Sequence, residues 1–475
     1  MHSRNIATDI SVVFAAVLFL VTLVIGGCSP GVNTISTITS ATTAVPVSIT
    51  DAPSDQVIAA SLTLNSIVLT DASGKTASIL SAPLTFEATH LDAVQEPLFT
   101  PAIPVDTYTG VALTYSNAEV AYIDPTTKKV VQATATLANT SQTITFSTPI
   151  VINNTMTSLI IDYMVANSVT ISGSTVTVTP EFNVAAAPIP QQPTNGTNGL
   201  QCGIQGEVTA LGANSFTLTN ASGTALTIYV NSSTQYQGLS GFSALAVGAL
   251  VEVDTATQTN GTLLALRVNE QGPPPPNGGT PLEMLVGPVT AVTGSPATSF
   301  TQVSRQQIGM PSTTTPIETN TITINGSTTF QLPGRFGNVS GGALPFTPTF
   351  SASTLFAGQV VSVAASSVTN NAATAVSVSV APQTVDGTVA SISSANGYAA
   401  YVVTLPSGGW LATLTGMTSV TVYTNDNVQA INTNPIAVGS SVRFNGFLFK
   451  NSGALVMLAD VQAPPPGQPI GSPHQ

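Results

Sequence analysis

Val376-Ser377-Val378-Ser379-Val380 alternates a β-branched apolar residue with a small hydroxyl residue at every step. Successive side chains of a strand point to opposite faces, so a period of two buries the valines and leaves the serines outside. The same rhythm runs through Leu62-Thr63-Leu64, Ile144-Thr145-Phe146 and Val176-Thr177-Val178, with Gly, Asn and Pro bounding the runs. Those are the residues that end strands and make turns. Beyond the N-terminus no long stretch repeats apolar residues at helical spacing, so the expected fold class is all-β.

Composition divides the chain. Proline marks expected linkers at 188–203, with Pro188, Pro190 and Pro193, and at 271–281, around Pro273-Pro274-Pro275-Pro276; a Pro/Gly tail follows at 463–475. A Ser/Thr-rich tether is expected over 28–44. The folded units are then 45–187, 204–270, 282–382 and 383–462. Because proline-rich spacers are semi-rigid, separate modules strung into a rod are expected.

The last three units are copies of one another. Gly206-Glu207-Val208-Thr209-Ala210-Leu211 recurs as Gly287-Pro288-Val289-Thr290-Ala291-Val292 and as Gly387-Thr388-Val389-Ala390-Ser391-Ile392. Asn231-Ser232-Ser233-Thr234 corresponds to Asn325-Gly326-Ser327-Thr328. Leu245-Ala246-Val247-Gly248 is echoed by Leu355-Phe356-Ala357-Gly358 and Ile436-Ala437-Val438-Gly439. Landmarks in constant order mark a structural repeat, here of about six short strands each, the size of a small β-barrel.

The first unit has about seven or eight strands, which suits an antiparallel β-sandwich of immunoglobulin-like or transthyretin-like type. Val47-Ser48-Ile49-Thr50-Asp51-Ala52-Pro53-Ser54-Asp55, Val105-Asp106-Thr107-Tyr108, Leu159-Ile160-Ile161-Asp162-Tyr163 and Thr179-Pro180-Glu181-Phe182 resemble the landmarks of domain of unknown function 4382 of bacterial lipoproteins. That resemblance implies an exported sandwich and no known reaction. Ile204 to Glu270, with its Gly-x-Val-Thr-Ala start and Gly-x-x-Val-Glu-Val late strand, resembles domain of unknown function 5666.

The N-terminus reads as a signal. Arg4 precedes an apolar run from Val12 to Ile25 that is too short to span a bilayer, which takes about 20 residues. Ile25-Gly26-Gly27-Cys28 resembles the lipobox, so 1–27 is expected to be cleaved and Cys28 to carry the lipid. Acyl chains contribute about 0.8 kcal/mol per buried methylene, so two or three of them anchor a protein firmly to a membrane. Ser29 after the cysteine implies the outer membrane, facing the periplasm or the surface.

Charged residues are 6% of the chain and the formal net charge is −12. An acidic chain with few cations is a poor ligand for nucleic acid or anionic lipid headgroups. Of the two cysteines, Cys28 is expected to be lipidated and Cys202 falls in the first linker, which leaves no disulfide framework.

Catalytic and metal-binding signals are sparse. Only His90 and His474 follow the signal segment, and His90-Leu91-Asp92 could pair a base with a carboxylate. No cofactor or zinc pattern is present. Asp51 and Asp55 are weak calcium candidates, since calcium takes six to eight oxygens. Asp71, in Thr70-Asp71-Ala72-Ser73-Gly74, reads as a turn. Trp410, the single tryptophan, is a candidate glycan platform with Tyr398, Tyr401 and Tyr423, and is expected just before a strand.

The second copy also carries an insertion that more than doubles the spacing from its Asn landmark to its Leu landmark. It contains Arg335, Phe336, Phe346 and Phe350, candidates for contact with a partner, because long loops on rigid scaffolds carry binding. The function expected from all this is non-enzymatic: a lipid-anchored envelope protein making structural, adhesive or assembly contacts with protein. A glycan-binding lipoprotein and an envelope hydrolase are the alternatives.

Overall fold

The computed structural model describes residues 41–51, 54–91, 94–153, 157–191, 199–272, 282–310, 316–333, 336, 343–425, 429–430 and 435–463. Strands dominate, as the alternation predicts.

In the first unit the two longest strands, Val57–Asp71 and Asp106–Ile123, pair antiparallel and centre a six-stranded sheet. A four-stranded sheet of Phe182–Pro188, Thr157–Tyr163, Val47–Asp51 and Glu96–Phe99 supplies the other layer. Leu62, Leu64 and Leu113 pack with Ile161, Tyr163 and Phe182 in one core. The sandwich is not purely antiparallel, because Val47–Asp51 runs parallel to Thr157–Tyr163. Parallel neighbours need a long crossover, and here the intervening chain is the other sheet itself.

Each repeat is a barrel with the same strand order. In barrel 1 the five strands are Leu200–Leu211, Ser215–Thr219, Ala225–Tyr229, Leu250–Thr257 and Leu263–Gly272. Strand one pairs with two and four, two with three, four with five, and three closes onto five in parallel. Barrel 2 closes identically through Glu283–Gly294, Ala297–Ser304, Glu318–Thr323, Val360–Thr369 and Ala372–Val380. Barrel 3 repeats the order with Gln383–Ala395, Tyr398–Thr404, Ser419–Thr424, Ser441–Asn451 and Ala454–Ala463. A ring of five strands with no free edge is a small Greek-key barrel of the OB type.

The repeated residues are the parts that close the ring. Gly248, Gly358 and Gly439 hold positive φ and donate their N–H to the carbonyls of Val208, Val289 and Val389, each at 2.8 Å. Those valines donate back to the residue after each glycine, Ala249, Gln359 and Ser440. Gly206, Gly287 and Gly387 sit where strand one bends against strand two. A Cβ there would run into the carbonyl oxygens of Thr219, Val303 and Thr404. Each bend is followed by a bulge, at Val208/Ala210, Val289/Ala291 and Val389/Ser391, which turns the strand around the barrel corner.

Two linker expectations change. Leu200 and Gln201 already pair with Ala256 and Thr255, so Cys202 lies in a barrel strand rather than a linker. Nor are the modules beads on a rod: from Ala41 onward the chain is one compact unit. Ile58 and Ala121 of the sandwich share one apolar cluster with Leu250 of barrel 1, Met284 and Val360 of barrel 2, and Phe444 and Leu448 of barrel 3. Apolar outer faces left by each module have been buried against the next, the general fate of such surface.

Candidate functional site

The strand Leu84–Glu87 ends in a single 3-10 turn, Thr89–Leu91. Glu87 holds that turn by accepting from the N–H groups of Ala60 (2.9 Å), Thr89 (3.0 Å) and His90 (2.9 Å) and from the Thr89 hydroxyl (2.6 Å). The turn aims His90 between two carboxylates, with Nδ1 3.2 Å from Glu87 Oε2 and Nε2 3.2 Å from Glu96 Oε2. The side chain is 13% exposed. Burial opposes its charge, but the hydrogen bonds and charges of Glu87 and Glu96 outweigh it and raise its pKa to about 9. Burial likewise opposes charge on Glu87, yet His90 and nearby Arg305 hold its carboxyl below the usual range. His90 is therefore a fixed imidazolium at neutral pH, with both ring nitrogens engaged and no lone pair free to take a proton.

This cluster joins modules. Asn220, in the turn after strand two of barrel 1, donates its amide to the second oxygen of Glu96. Its own carbonyl accepts from Thr224 N and Ser222 Oγ, both at 2.8 Å, which fixes the amide's direction. Arg305 of barrel 2 donates Nε to Ile58 O at 2.6 Å and lays its guanidinium over the Trp410 ring of barrel 3, 5.6 Å from the centroid. Gln132 of the sandwich donates to Ile317 O of barrel 2 at 2.8 Å.

A second buried cluster lies where the sandwich meets barrel 3. The backbone N–H of Trp410 donates to the backbone carbonyl of Asp55 at 2.8 Å. Asp55, Asp386 and Trp410 line one small hole of about 20 Å³. Arg443, wholly buried, donates Nε to Asp386 Oδ1 at 2.8 Å. Burial first, and then the charge of Asp386, push Asp55 up to about 7, with Arg443 opposing. Burial raises Asp386 as well, but there the charge and hydrogen bond of Arg443 oppose it, which favours the proton on Asp55.

Two cavities adjoin the His90 cluster. A chamber of about 70 Å³ is lined by residues of all four modules, among them Glu96, Gln205, Arg305 and Gln383. A larger cleft of about 650 Å³ lies between the sandwich and barrels 1 and 2, with Glu87, Glu119, Glu207, Arg305 and Met310 among its walls.

The residues singled out from sequence are scattered among these places. Trp410 is 8% exposed and opens a short helix, Trp410–Thr415, rather than preceding a strand. It presents no platform: Tyr398 is buried, Tyr401 stacks on Phe444, and Tyr423 packs on Phe346. The insertion's aromatics are used inside the chain rather than offered to a partner. Phe336 packs edge-on to Phe447 and Phe449 of barrel 3, Phe346 lies against Phe449, and Phe350 meets Phe330.

Asp51 is buried in its strand, where Oδ1 accepts from Val165 N at 3.2 Å, while Asp55 faces barrel 3. Among the described residues no three His, Cys, Asp or Glu side chains are grouped to hold a metal ion. Asp71 closes its turn by accepting from Ser73 N and Lys75 N. Cys28, Asp92, Arg335 and His474 lie outside the described residues.

Glu87, Glu96, Arg305, Asp386 and Arg443 were not legible as a site. One signal was available: in a chain with nine Lys and Arg together, Val442-Arg443-Phe444 places a charge inside an apolar run.

The comparison with known families falls on the first barrel. Residues 205–269 match a family described as Domain of unknown function (DUF5666). The match covers barrel 1 from just inside strand one to near the end of strand five. Barrels 2 and 3 share its strand order and its glycine clasp. No curated protein matches the chain.

Proposed function

We propose that the protein is a lipid-anchored cell-envelope protein whose folded body is a non-catalytic scaffold for structural, adhesive or assembly contacts. One observation carries this reading: several of the scarce charged side chains, and the single tryptophan, sit where one module meets the next. His90, Arg305 and Trp410 lie on inter-module seams, and Arg443 of barrel 3 acts electrostatically on Asp55 of the sandwich. A protonated histidine locked between two carboxylates holds surfaces together better than it moves protons. The lipobox-like Ile25-Gly26-Gly27-Cys28 supports attachment to a membrane, with the outer membrane as the proposed address. The likeness of the sandwich to domain of unknown function 4382 belongs to the same reading.

Cys28→Ser tests the anchor. Incorporation of labelled palmitate should vanish, and the protein should move to the soluble fraction or accumulate uncleaved. Unchanged labelling and membrane attachment would refute it. Protease treatment of intact cells then separates the roles: digestion without lysis supports adhesion at the surface, and protection until the envelope is opened supports periplasmic assembly.

A further inference from the structure

Each barrel has two docking features: the clasp that leads into strand four, and a receiving face around the start of strand one. The clasp of barrel 2 is pressed into the receiving face of barrel 3. Gly358 O accepts from Gln383 Nε2 at 3.0 Å, and Gln383 Oε1 accepts from Val360 N at 2.8 Å. Gln359 Nε2 donates to Leu448 O at 2.8 Å, and Lys450 lays its ammonium over the Phe356 ring. The fit is close, since a Cβ on Gly358 would come within 2.7 Å of Thr415 Cγ2 and 3.0 Å of Leu411 Cδ1.

Barrel 1 docks on barrel 2 in the same sense. Leu250, two residues past Gly248, shares an apolar cluster with Leu282 and Ala364 of barrel 2. The receiving face of barrel 1 is covered as well, because Gln201 lines one small hole with Pro46, Ser48 and Pro97 of the sandwich. All three receiving faces are therefore filled, and one clasp is left over.

That clasp, residues 435–441 of barrel 3, is exposed at Pro435, Ala437, Val438, Gly439 and Ser441. The matching Phe356, Gly358, Gln359 and Val360 of barrel 2 are buried. Val438 is 64% exposed, the highest value among the exposed large apolar side chains of the described residues. Ile392, 42% exposed, stands three residues along strand one from Val389, whose carbonyl receives the Gly439 N–H. Neither 388–396 nor 435–441 contains a charged residue, in a chain of net charge −12.

Apolar, charge-free surface at a corner that barrel 2 buries against its neighbour is the mark of a protein contact. A second copy of this chain has its receiving faces filled, so the equivalent surface it can offer is the same corner. Across a two-fold axis, two such corners meet without bringing like charges together. We infer that the protein pairs with a second copy through the clasp of barrel 3, with Val438 and Ile392 at the centre of the contact. This gives the assembly contact of the scaffold reading a place and a partner, and it does not require the lipid anchor.

The test is sedimentation velocity of the full-length protein in detergent over a concentration series, which should show a monomer–dimer equilibrium. Val438→Asp sets a carboxylate against its symmetry mate and should weaken dimerisation about tenfold or more. Because Val438 lies outside the core, its Tm should stay unchanged, which separates lost pairing from lost folding. Val247→Asp, the matching change in barrel 1, should leave the dimer intact although Val247 is 54% exposed. A monomer throughout the series would overturn the proposal. So would a dimer that Val438→Asp leaves unchanged, or one that Val247→Asp disrupts equally. Each of those results leaves the anchor, tested separately by Cys28→Ser, standing.

Discussion

Two of the seams between the sandwich and its barrels have opposite charge logic. At the His90 seam one cation sits between two carboxylates, and a third partner, Asn220, arrives from barrel 1. At the Asp55 seam the arginine bonds Asp386, and Asp55, raised to about 7 by burial and by the charge of Asp386, takes up a proton instead. The barrels explain part of the contrast. Gln205 and Glu252 face each other across strands one and four of barrel 1, and the same cross-strand position holds Val286 and Ser362 in barrel 2 and Asp386 and Arg443 in barrel 3. One scaffold position has thus become a neutral pair in one copy and a buried ion pair in another. The fold sets which residues meet at a seam, and the side chains set how that seam responds to its surroundings.

The contrast breaks most visibly at Arg443. Arg443→Met leaves Asp386 buried without its cation, so denaturant unfolding should show a loss of about 3–5 kcal/mol. The double variant Arg443→Met, Asp386→Leu should recover much of it, since an apolar pair does not need the missing charge. His90→Gln should cost less, about 1.5–3 kcal/mol, because Glu87 keeps its backbone donors and only the charge-assisted hydrogen bonds are lost. An equal or larger loss at His90 would reverse the ranking of the seams.

A pH series separates them further. Asp55 is raised from 3.8 to about 7, so the native state holds the extra proton in that window and stability falls as pH rises from about 4 to 7. His90 is raised from 6.5 to about 9, so its contribution is whole below 6.5 and is lost as pH rises through about 9. Asp55→Asn should flatten the first limb alone, and His90→Gln the second alone. A stability curve without the first limb would mean that Asp55 is ionised at neutral pH and that the two seams do not differ in kind.

Much of the architecture was readable residue by residue. Alternation as in Val376 to Val380 predicts strands because it needs only neighbouring side chains on opposite faces; that stretch does lie in strand five of barrel 2, but with Val376 exposed and Ser379 buried, contrary to the simple split of valines inside and serines outside. The repeat landmarks predicted recurring units because Gly248, Gly358 and Gly439 do the same backbone job in each. The candidate sites fared differently. Phe336, Phe346 and Trp410 look like exposed binding aromatics in sequence, since an aromatic residue in a loop has the same local pattern whether it meets a partner or another module. His90 reads in sequence as a partner for Asp92, whereas the contacts that fix its charge come from Glu87 and Glu96 and, through Glu96, from a turn of barrel 1.

What the sequence by itself determined is the strand class and the barrel as a repeated solution. These rest on local periodicity and on glycines that admit a bend or a positive φ. What only the tertiary structure decided is how the modules meet and where the polar cavities lie. Ile58 and Arg305 are 247 positions apart, and Gln132 and Ile317 are 185 apart. Contacts of that range carry no period and no motif. They follow from which outer faces were apolar enough to bury, and the charges trapped there took whichever partners the docking brought within reach.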